Sequence, residues 1–403
     1  MKERVIKIIS TKKVILVIYI LFAVIASIQS LIGTKTYYEG GKEYNRYNNY
    51  TIFQKSFEHL KNNQDLYVLY PEEHWDFYKY TPSFSVFFGL FNIFPDWLGL
   101  NLWNILNALV LALAVYYLPK LNNYQKGLIL IIAIIELMTS MQSSQSNALI
   151  AGLLILTFGL LEKNKPFFAS LCVVFSLFIK PFGMVGFALF LFYRKKWNSV
   201  LYALTWFAIL FFIPLLFVGF EQYLKLYNSY FKLLALDYDT NAMFPTIGNS
   251  YGISVMGWLH SWFSIDVAKN YIMAIGVVIF LLPFFKINMY KEFMFKYLLL
   301  CSILIWIVIF NHKAESPTFI IAMAGVTLWF VKIEKNKLNI ILFINAFILT
   351  TLSSTDLFPK YLREEFVKPY NLKAFPCILI WLKIIYDMLK LKKKNAQQSI
   401  LHN

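Results

Sequence analysis

Long apolar segments, separated by short basic loops, follow one another along nearly the whole chain and limit what it can fold into. Hydrophobic residues make up 59% of the 403 residues and charged residues 15%, which leaves too little polar surface to cover a soluble globule of this size. The first apolar run, 14–32, is long enough to span a bilayer and is followed by no small-residue cleavage site. It therefore predicts a transmembrane helix rather than a secretion signal, in an integral membrane protein.

About 12 spans are predicted, which gives an all-α polytopic membrane protein with both termini in the cytoplasm. Several spans are shorter than the roughly 20 residues needed to cross a bilayer alone, so neighbouring helices must shield them or they must line a cavity. The segment 82–94 is also short and ends at Pro95-Asp96, which predicts a re-entrant or interfacial helix. The predicted spans are 14–32, 97–118, 128–141, 148–161, 167–180, 181–193, 197–218, 267–285, 297–310, 318–331, 338–352 and 374–391.

The chain is interpreted as a single integral membrane domain, 1–403, in three parts. The segment 33–96 is predicted to form a long outer loop with interfacial or re-entrant helices, 97–331 the core transmembrane module and 338–391 a C-terminal helix pair. Helical spacing of apolar residues in the outer loop, with Asn62-Asn63 as a stop, predicts one amphipathic helix at the membrane interface, and a solvated linker is the alternative. These apolar residues are Ile52, Phe53, Phe57, Leu60 and Leu66.

Basic residues are concentrated on one side of this arrangement. The loops assigned to the cytoplasm contain 22 Lys and Arg against four acids, whereas the outer segments contain 14 against 16. Because Lys and Arg stay on the cytoplasmic side of short loops, this asymmetry sets the predicted orientation in the inner (plasma) membrane. The net charge of +16 is interpreted as membrane anchoring, and no nucleic-acid partner is expected.

Four short polar segments interrupt the apolar sequence, and the predicted topology puts all of them on the outer, or periplasmic, face. Lys180 is the preferred phosphate partner, because a lysine deep in apolar sequence is costly unless it meets an anion. Snorkelling of its side chain to the interface is the alternative. The four segments are 142–147 (QSSQSN), Lys180-Pro181, Gly248-Asn249-Ser250 and 311–317 (NHKAESP).

Other polar residues in these segments are candidates for the same site. His312 is a possible donor, with Glu315 to orient its imidazole or to act as a base, and a capped polar turn is the alternative. The remaining candidates are predicted to bind phosphate or sugar. The alternative for each is a structural role as a helix cap or interfacial anchor. They are Lys79, Tyr80, Gln145, Asn147, Asn249 and Ser250.

The order of these motifs resembles glycosyltransferase family 87, the polyprenyl-phosphate-sugar-dependent transferases of the GT-C fold. The resemblance extends over roughly 14–330. It implies a GT-C-like helical bundle that transfers a sugar, often mannose, from a polyprenyl-phosphate donor to a hydroxyl of a glycan or glycolipid acceptor, with inversion at the anomeric carbon. The matching residues are Asn49, Asp65-Leu66-Tyr67, Tyr80-Thr81-Pro82, Gln145-Ser146-Asn147, Lys180-Pro181, Asn249-Ser250 and His312.

Asn49 occupies the position at which the family pattern has the catalytic Asp. An inverting transfer requires a carboxylate that takes the proton of the acceptor hydroxyl, and an amide cannot do this. Either another carboxylate has become the base or this lineage is inactive in that chemistry, and Glu315 is favoured as the replacement base. The departing phosphate needs only positive charge or donors, and the chain has neither a plausible DxD nor a Gly-rich phosphate loop, so no metal or cofactor is expected. The other replacement candidates are Glu58, Asp65, Glu72, Glu73 and Asp76.

Two other functions remain open from the sequence. A transporter or flippase of lipid-linked sugars would also need buried polar groups, but the halves show no repeat of hydropathy and only 16 residues are Gly, where sliding helices favour small residues. A polysaccharide ligase or polymerase typically has a larger loop late in the chain. Glu136, inside a short span, is interpreted as structural. The three cysteines lie in apolar runs without the spacing of metal ligands, so neither disulfides nor zinc are expected.

Overall fold

The computed structural model describes residues 2–33, 37–39, 42–243, 252–265 and 269–392. Helices make up almost all of this part of the chain. Beside them lies one antiparallel hairpin, β1 (Tyr37–Glu39) and β2 (Lys42–Tyr44), in which Tyr37 pairs with Tyr44 and Glu39 with Lys42.

The α-helices, numbered in chain order, are α1 (Lys2–Ser10), α2 (Lys12–Ile32), α3 (Asn48–Lys61), α4 (Pro82–Asn92), α5 (Asp96–Tyr117), α6 (Asn123–Gln142), α7 (Asn147–Glu162), α8 (Pro166–Ile179), α9 (Lys196–Phe212), α10 (Phe220–Met243), α11 (Val255–Phe263), α12 (Lys269–Leu281), α13 (Phe293–Ile309), α14 (Phe319–Lys332), α15 (Lys337–Asn345), α16 (Lys360–Leu362) and α17 (Phe375–Lys390). Short 3₁₀ helices lie at Pro181–Phe192, Ile213–Leu216, Leu282–Phe285, Ile287–Met289, Ser316–Thr318 and Leu352–Ser354, and π-helical turns at Ala346–Thr351 and Arg363–Val367.

Five helical stretches of the described residues are long and apolar enough to cross a membrane, namely Lys12–Ile32, Asp96–Tyr117, Asn123–Gln142, Lys196–Leu216 and Lys337–Ser354. Shorter apolar helices lie among them, at Asn147–Glu162, Pro166–Ile179, Pro181–Phe192, Lys269–Phe285, Phe293–Ile309 and Ser316–Lys332. The chain is therefore a multi-pass membrane protein. Short helices such as α7 and α14 are almost completely covered by their neighbours, as helices too short to span alone must be.

Each of the twelve predicted segments coincides with helical residues of the described part of the chain, although several boundaries and helix types differ. The segment predicted at 128–141 begins earlier, because Asn122 and Gln125 form a reciprocal capping box, with Gln125 N donating to Asn122 Oδ1 at 2.8 Å and Asn122 N to Gln125 Oε1 at 3.1 Å. The segment 181–193 is a 3₁₀ helix rather than an α-helix. The number of segments that cross the bilayer stays a prediction.

Four α-helices of the described residues lie where the sequence predicted only loops. They are α1, in the N-terminal segment, α10 and α11, between the predicted spans 197–218 and 267–285, and the three-residue α16, before the predicted span 374–391. α10 carries charged residues and has no membrane-like apolar run. Its buried residues nevertheless recur with helical period, a signal that predicts an amphipathic helix; they are Tyr223, Leu226, Tyr227, Tyr230 and Leu233.

The helix predicted in the long loop is α3, and it stops at Asn62-Asn63 as expected, with Asn63 in the left-handed region at φ 54°. No residue from Asn48 to Leu60 is strongly exposed, so α3 is packed into the molecule instead of lying on its surface. The Phe53 ring meets the rings of Tyr80 and Trp103 edge-on, at 4.7 and 5.9 Å. This packing joins the loop to α4 and α5.

Candidate functional site

Lys180 lies at a break between two helices. α8 ends at Ile179, Lys180 is extended (φ −143°, ψ 136°), and a 3₁₀ helix begins at Pro181. The break follows from the sequence, because a residue that precedes proline avoids the helical region. The Lys180 ammonium donates to Asn147 Oδ1 at 3.1 Å and lies 5.7 Å from the centre of the Tyr80 ring.

Asn147 connects Lys180 to Glu315. It begins α7 and is fully buried. Its Nδ2 donates to Gln145 Oε1 at 2.5 Å and to the Pro317 carbonyl at 3.1 Å, and Gln145 Nε2 donates to Glu315 Oε2 at 3.0 Å. The structure thus brings together Lys180, Asn147, Gln145 and Glu315 in one hydrogen-bonded chain. The Glu315 side chain is exposed and is open to a substrate.

Asn49 lies beside the turn between α6 and α7. Its Nδ2 donates to the Ser143 carbonyl at 2.9 Å, and Trp103 Nε1 donates to the Ser144 carbonyl, also at 2.9 Å. Ser144 has φ 52°, a left-handed turn residue that lets Gln145 N reach back to the Ser140 carbonyl. Asn49 is therefore placed beside the 142–147 segment, where it donates a hydrogen bond to the backbone.

Lys79 and Lys313 belong to the same cluster, and both are paired with acids. Lys79 Nζ lies 3.0 Å from Asp76 and 3.9 Å from Asp237. Lys313 forms an ion pair with the Asp237 carboxylate and donates to the Asp237 carbonyl at 2.9 Å. Burial lowers the pKa of Lys79, but Asp76 and Asp237 raise it overall above its usual value. Burial lowers the pKa of Lys313 even against the attraction of Asp237.

Lys180 differs from these two lysines. Among the residues that the structure describes, no carboxylate forms an ion pair with it, and its ammonium donates to the amide oxygen of Asn147. Glu315 is near enough to attract its charge and Lys79 near enough to repel it. The ammonium of Lys180 is therefore the cation of this cluster that is least neutralised.

His312 is partly buried, with its ring edge-on to Tyr238 at 5.7 Å. Its Nε2 is buried and has no hydrogen-bond partner in the described part of the chain. Burial, reinforced by the positive charges of Lys269 and Lys313, lowers the pKa of His312 to about 4. The imidazole is consequently neutral near pH 7, and its orphan nitrogen is available to a ligand.

Asn249 and Ser250 lie outside the described residues. The chain that follows them reaches the site loop, because Ile253 N donates to the Ala314 carbonyl at 2.7 Å. Gly252 has φ 56°, and a Cβ there would stand 2.6 Å from the His312 carbonyl oxygen. Only glycine fits this close approach in a left-handed conformation.

Most of the alternative bases are engaged elsewhere. Asp65 accepts from Ser229 Oγ at 2.7 Å, Glu58 pairs with Lys55 and Glu73 with His59, while Glu72 pairs with Lys42. Asp76 is in the cluster but is held by Lys79. No group of three or more His, Cys, Asp or Glu in the described residues is arranged to hold a metal ion.

The sequence analysis missed two participants. Asp237, in the last two turns of α10, pairs with Lys79 and Lys313 and lies in a segment that the sequence predicted to be a loop. Lys373, which precedes α17, donates to Glu136 Oε1 at 3.0 Å and to Ser316 Oγ at 2.8 Å. A carboxylate inside a span requires such a partner, but no local pattern indicates which residue supplies it.

The fold and the site define a multi-pass helical membrane protein in which hydrogen bonds link a half-buried lysine to an exposed acid. The profile of glycosyltransferase family 87 matches residues 77–311, more than half of the chain, and the chain belongs to this family. The family predicted from the order of the motifs is thereby confirmed, and with it a membrane glycosyltransferase of the GT-C type. Glu315 lies beyond the matched residues, as do Asn49 and His312.

Among solved structures, the apo oligosaccharyltransferase of Archaeoglobus fulgidus is similar at 12% identity and a TM-score of 0.40, over 92% of this chain and 56% of that chain. ArnT from Cupriavidus metallidurans bound to undecaprenyl phosphate is similar at 12% identity and a TM-score of 0.35, over 92% of this chain and 77% of that chain. The chain thus spans little more than half the length of the first. No curated protein matches it.

Proposed function

We propose that the protein transfers a sugar from a polyprenyl-phosphate donor to an acceptor hydroxyl, with inversion, at the Lys180–Glu315 site on the outer face of the membrane. Family membership supports the class of reaction. The single observation that supports this site is the half-buried lysine linked through Asn147 and Gln145 to an exposed carboxylate.

Lys180 binds the donor phosphate in this proposal. The positive charges of Lys79 and Lys313 are balanced by Asp76 and Asp237, whereas Lys180 has only an amide partner among the described residues. A single available cation suits one bridging phosphate, a phosphodiester between lipid and sugar, rather than a diphosphate. As the sugar leaves, negative charge increases on the phosphate, and an ammonium held in a low-dielectric site stabilises that charge most strongly.

The lipid tail of the donor has an apolar path next to this lysine. A groove of about 340 Å³ runs between α8, the 3₁₀ helix and α9. Its lining includes Leu177, three residues before Lys180, and Trp197, Ala203 and Leu204 of α9. An isoprenoid chain lying there would leave its phosphate at the break after Ile179.

Glu315 acts as the base. The oxygen of the acceptor hydroxyl forms a bond to the anomeric carbon on the face opposite the phosphate, while the bond from that carbon to the phosphate oxygen breaks. The bonding electron pair leaves with the phosphate beside Lys180, and the hydroxyl proton passes to the Glu315 carboxylate. Gln145 orients that carboxylate, and neutral His312 offers Nε2 as a hydrogen-bond partner to substrate.

The distribution of Lys and Arg supports the outer location. It puts the end of the bundle that carries Lys180 and Glu315 on the side opposite the basic loops. Sugar and acceptor identity are open: a hexose such as mannose or a pentose, on a glycan or glycolipid.

The proposal is tested with purified protein in nanodiscs and radiolabelled polyprenyl-phosphate sugars, each assayed with candidate glycan and glycolipid acceptors. Appearance of label in the acceptor, with release of polyprenyl phosphate, is the expected result. Movement of the intact donor between liposome leaflets without transfer would instead support a flippase. Transfer of a whole oligosaccharide would support a ligase or polymerase.

A further inference from the structure

A buried lysine outside the family-matched residues is attached to the loop that carries Glu315. Lys373 is 5% exposed and directs its ammonium at three oxygens: Glu136 Oε1 at 3.0 Å, Ser316 Oγ at 2.8 Å and Ser354 Oγ at 2.6 Å. All three ammonium hydrogens therefore have acceptors on three different segments of the chain. One of those acceptors, Ser316, is the neighbour of Glu315.

Stability alone does not account for this arrangement. Removing two charges from water is costly, and a well-packed apolar pair of the same volume is often equally stable or more so. Glu136 is fully buried, and its second oxygen has no hydrogen-bond partner in the described part of the chain. Such a pair does, however, fix the ammonium in one place, and with it the Ser316 hydroxyl.

The turn at Ser316–Thr318 is held from two directions. Lys373 holds Ser316 from the side of the C-terminal segment, and Asn147 holds the Pro317 carbonyl from the side of α7. Asn147 is also the partner of Lys180. The distance between the phosphate-binding lysine and Glu315 therefore depends on both attachments.

We propose that Lys373 is a positioning residue, which holds the Glu315 loop against the Lys180 site through Ser316. The C-terminal segment, first interpreted as a structural helix pair, thereby sets the geometry of the base. The effect of Lys373 on sugar transfer rests on the proposed function. Its effect on the position of the Glu315 loop does not.

Substituting only Lys373 or only Glu136 would leave one buried charge unpaired. Two variants avoid this and test the loss of positioning by itself. Glu136→Gln with Lys373→Met removes both charges together and leaves no unpaired buried ion. Ser316→Ala removes the attachment, together with the 3.3 Å contact between the Ser316 and Ser354 hydroxyls, and keeps the ion pair. We expect kcat to fall at least tenfold in both variants, with KM for the polyprenyl-phosphate sugar within twofold, because Lys180 and Asn147 are unchanged.

Ser302→Ala is the matched control. It removes a buried hydrogen bond of 3.0 Å from Trp381 Nε1, which joins α17 to α13 away from the site loop. If Lys373 only stabilises the fold, Ser302→Ala and the double variant should lower kcat equally when they lose the same thermal stability. If Lys373 positions the loop, Ser302→Ala should keep kcat within twofold of wild type.

Amide hydrogen exchange gives a readout that does not depend on sugar transfer. The Thr318 amide donates to the Glu315 carbonyl at 2.9 Å, and its exchange should accelerate at least tenfold in the double variant and in Ser316→Ala, but not in Ser302→Ala. If the wild-type protein transfers no sugar, the proposed function fails and this exchange still decides the attachment. Unchanged exchange in Ser316→Ala, or normal kcat in a folded double variant, would overturn the proposal.

Discussion

Replacing Lys180 with Met is the perturbation whose effect can be worked out most fully from the structure. Methionine keeps the length of the side chain and removes its charge, so the half-buried site loses an ammonium that donates to Asn147 Oδ1. The effect on insertion and folding should be small, because no described carboxylate loses an ion-pair partner and the loss is limited to the donor of the Asn147 amide oxygen. A loss confined to the chemistry is therefore expected.

The size of that loss follows from electrostatics. Two unit charges about 4 Å apart interact by roughly 4 kcal/mol at an effective dielectric constant near 20, and removing one preorganised donor from a developing anion costs about 3–4 kcal/mol. Since about 1.4 kcal/mol corresponds to a factor of ten in rate, kcat should fall by roughly 10²–10³.

The assay is transfer of labelled sugar from a polyprenyl-phosphate donor at saturating acceptor. Lys313→Met provides the comparison, because the charge of Lys313 is already neutralised by Asp237 and Asp237 keeps Lys79 as a partner. Its kcat should fall by about tenfold or less. Equal losses in the two variants, or normal turnover by Lys180→Met, would refute the assignment of the phosphate to Lys180.

Three further predictions concern the same loop and its orientation. Glu315→Gln should lower kcat by at least about a hundredfold, the lower range for loss of a general base, and an unchanged kcat would direct attention to Asp76. A cysteine in place of Ser143 should react with an impermeant thiol reagent added outside intact cells; labelling from the cytoplasm alone would reverse the orientation. Because the pKa of His312 is lowered to about 4, the unfolded chain binds a proton there as pH falls from about 6.5 and the folded protein does not. The stability that neutral His312 contributes is thus present above pH 6.5 or so and is lost as pH falls from there towards 4. The His312→Gln variant should therefore lose less thermal stability than wild type between about pH 7 and 4.5. Identical losses would contradict the lowered pKa.

Local patterns were enough to locate the long apolar helices and the break at the site. Apolar runs mark the spans, because each run is continuous in sequence. The helix end at Lys180 is fixed by the proline that follows it. The predicted convergence of Lys180 with Gln145, Asn147 and Glu315 also agrees with the contacts of the structure.

Pairings between distant residues could not be predicted in the same way. Asp237 and Lys313 are 76 residues apart and Glu136 and Lys373 are 237 apart, so no local spacing connects them. α10 is a different case, because its buried Tyr223, Tyr227 and Tyr230 carry a helical period that a search for long apolar runs overlooks. Predicting this helix from the sequence would have made Asp237 a candidate residue of the site.

The measurement that tests the account most directly is a structure of the protein with a polyprenyl-phosphate sugar bound. The account predicts a phosphate oxygen within about 3 Å of the Lys180 ammonium, the anomeric carbon between that phosphate and the Glu315 carboxylate, and the lipid tail leaving towards α9. A donor whose phosphate lies away from Lys180, or whose sugar faces away from Glu315, would contradict it.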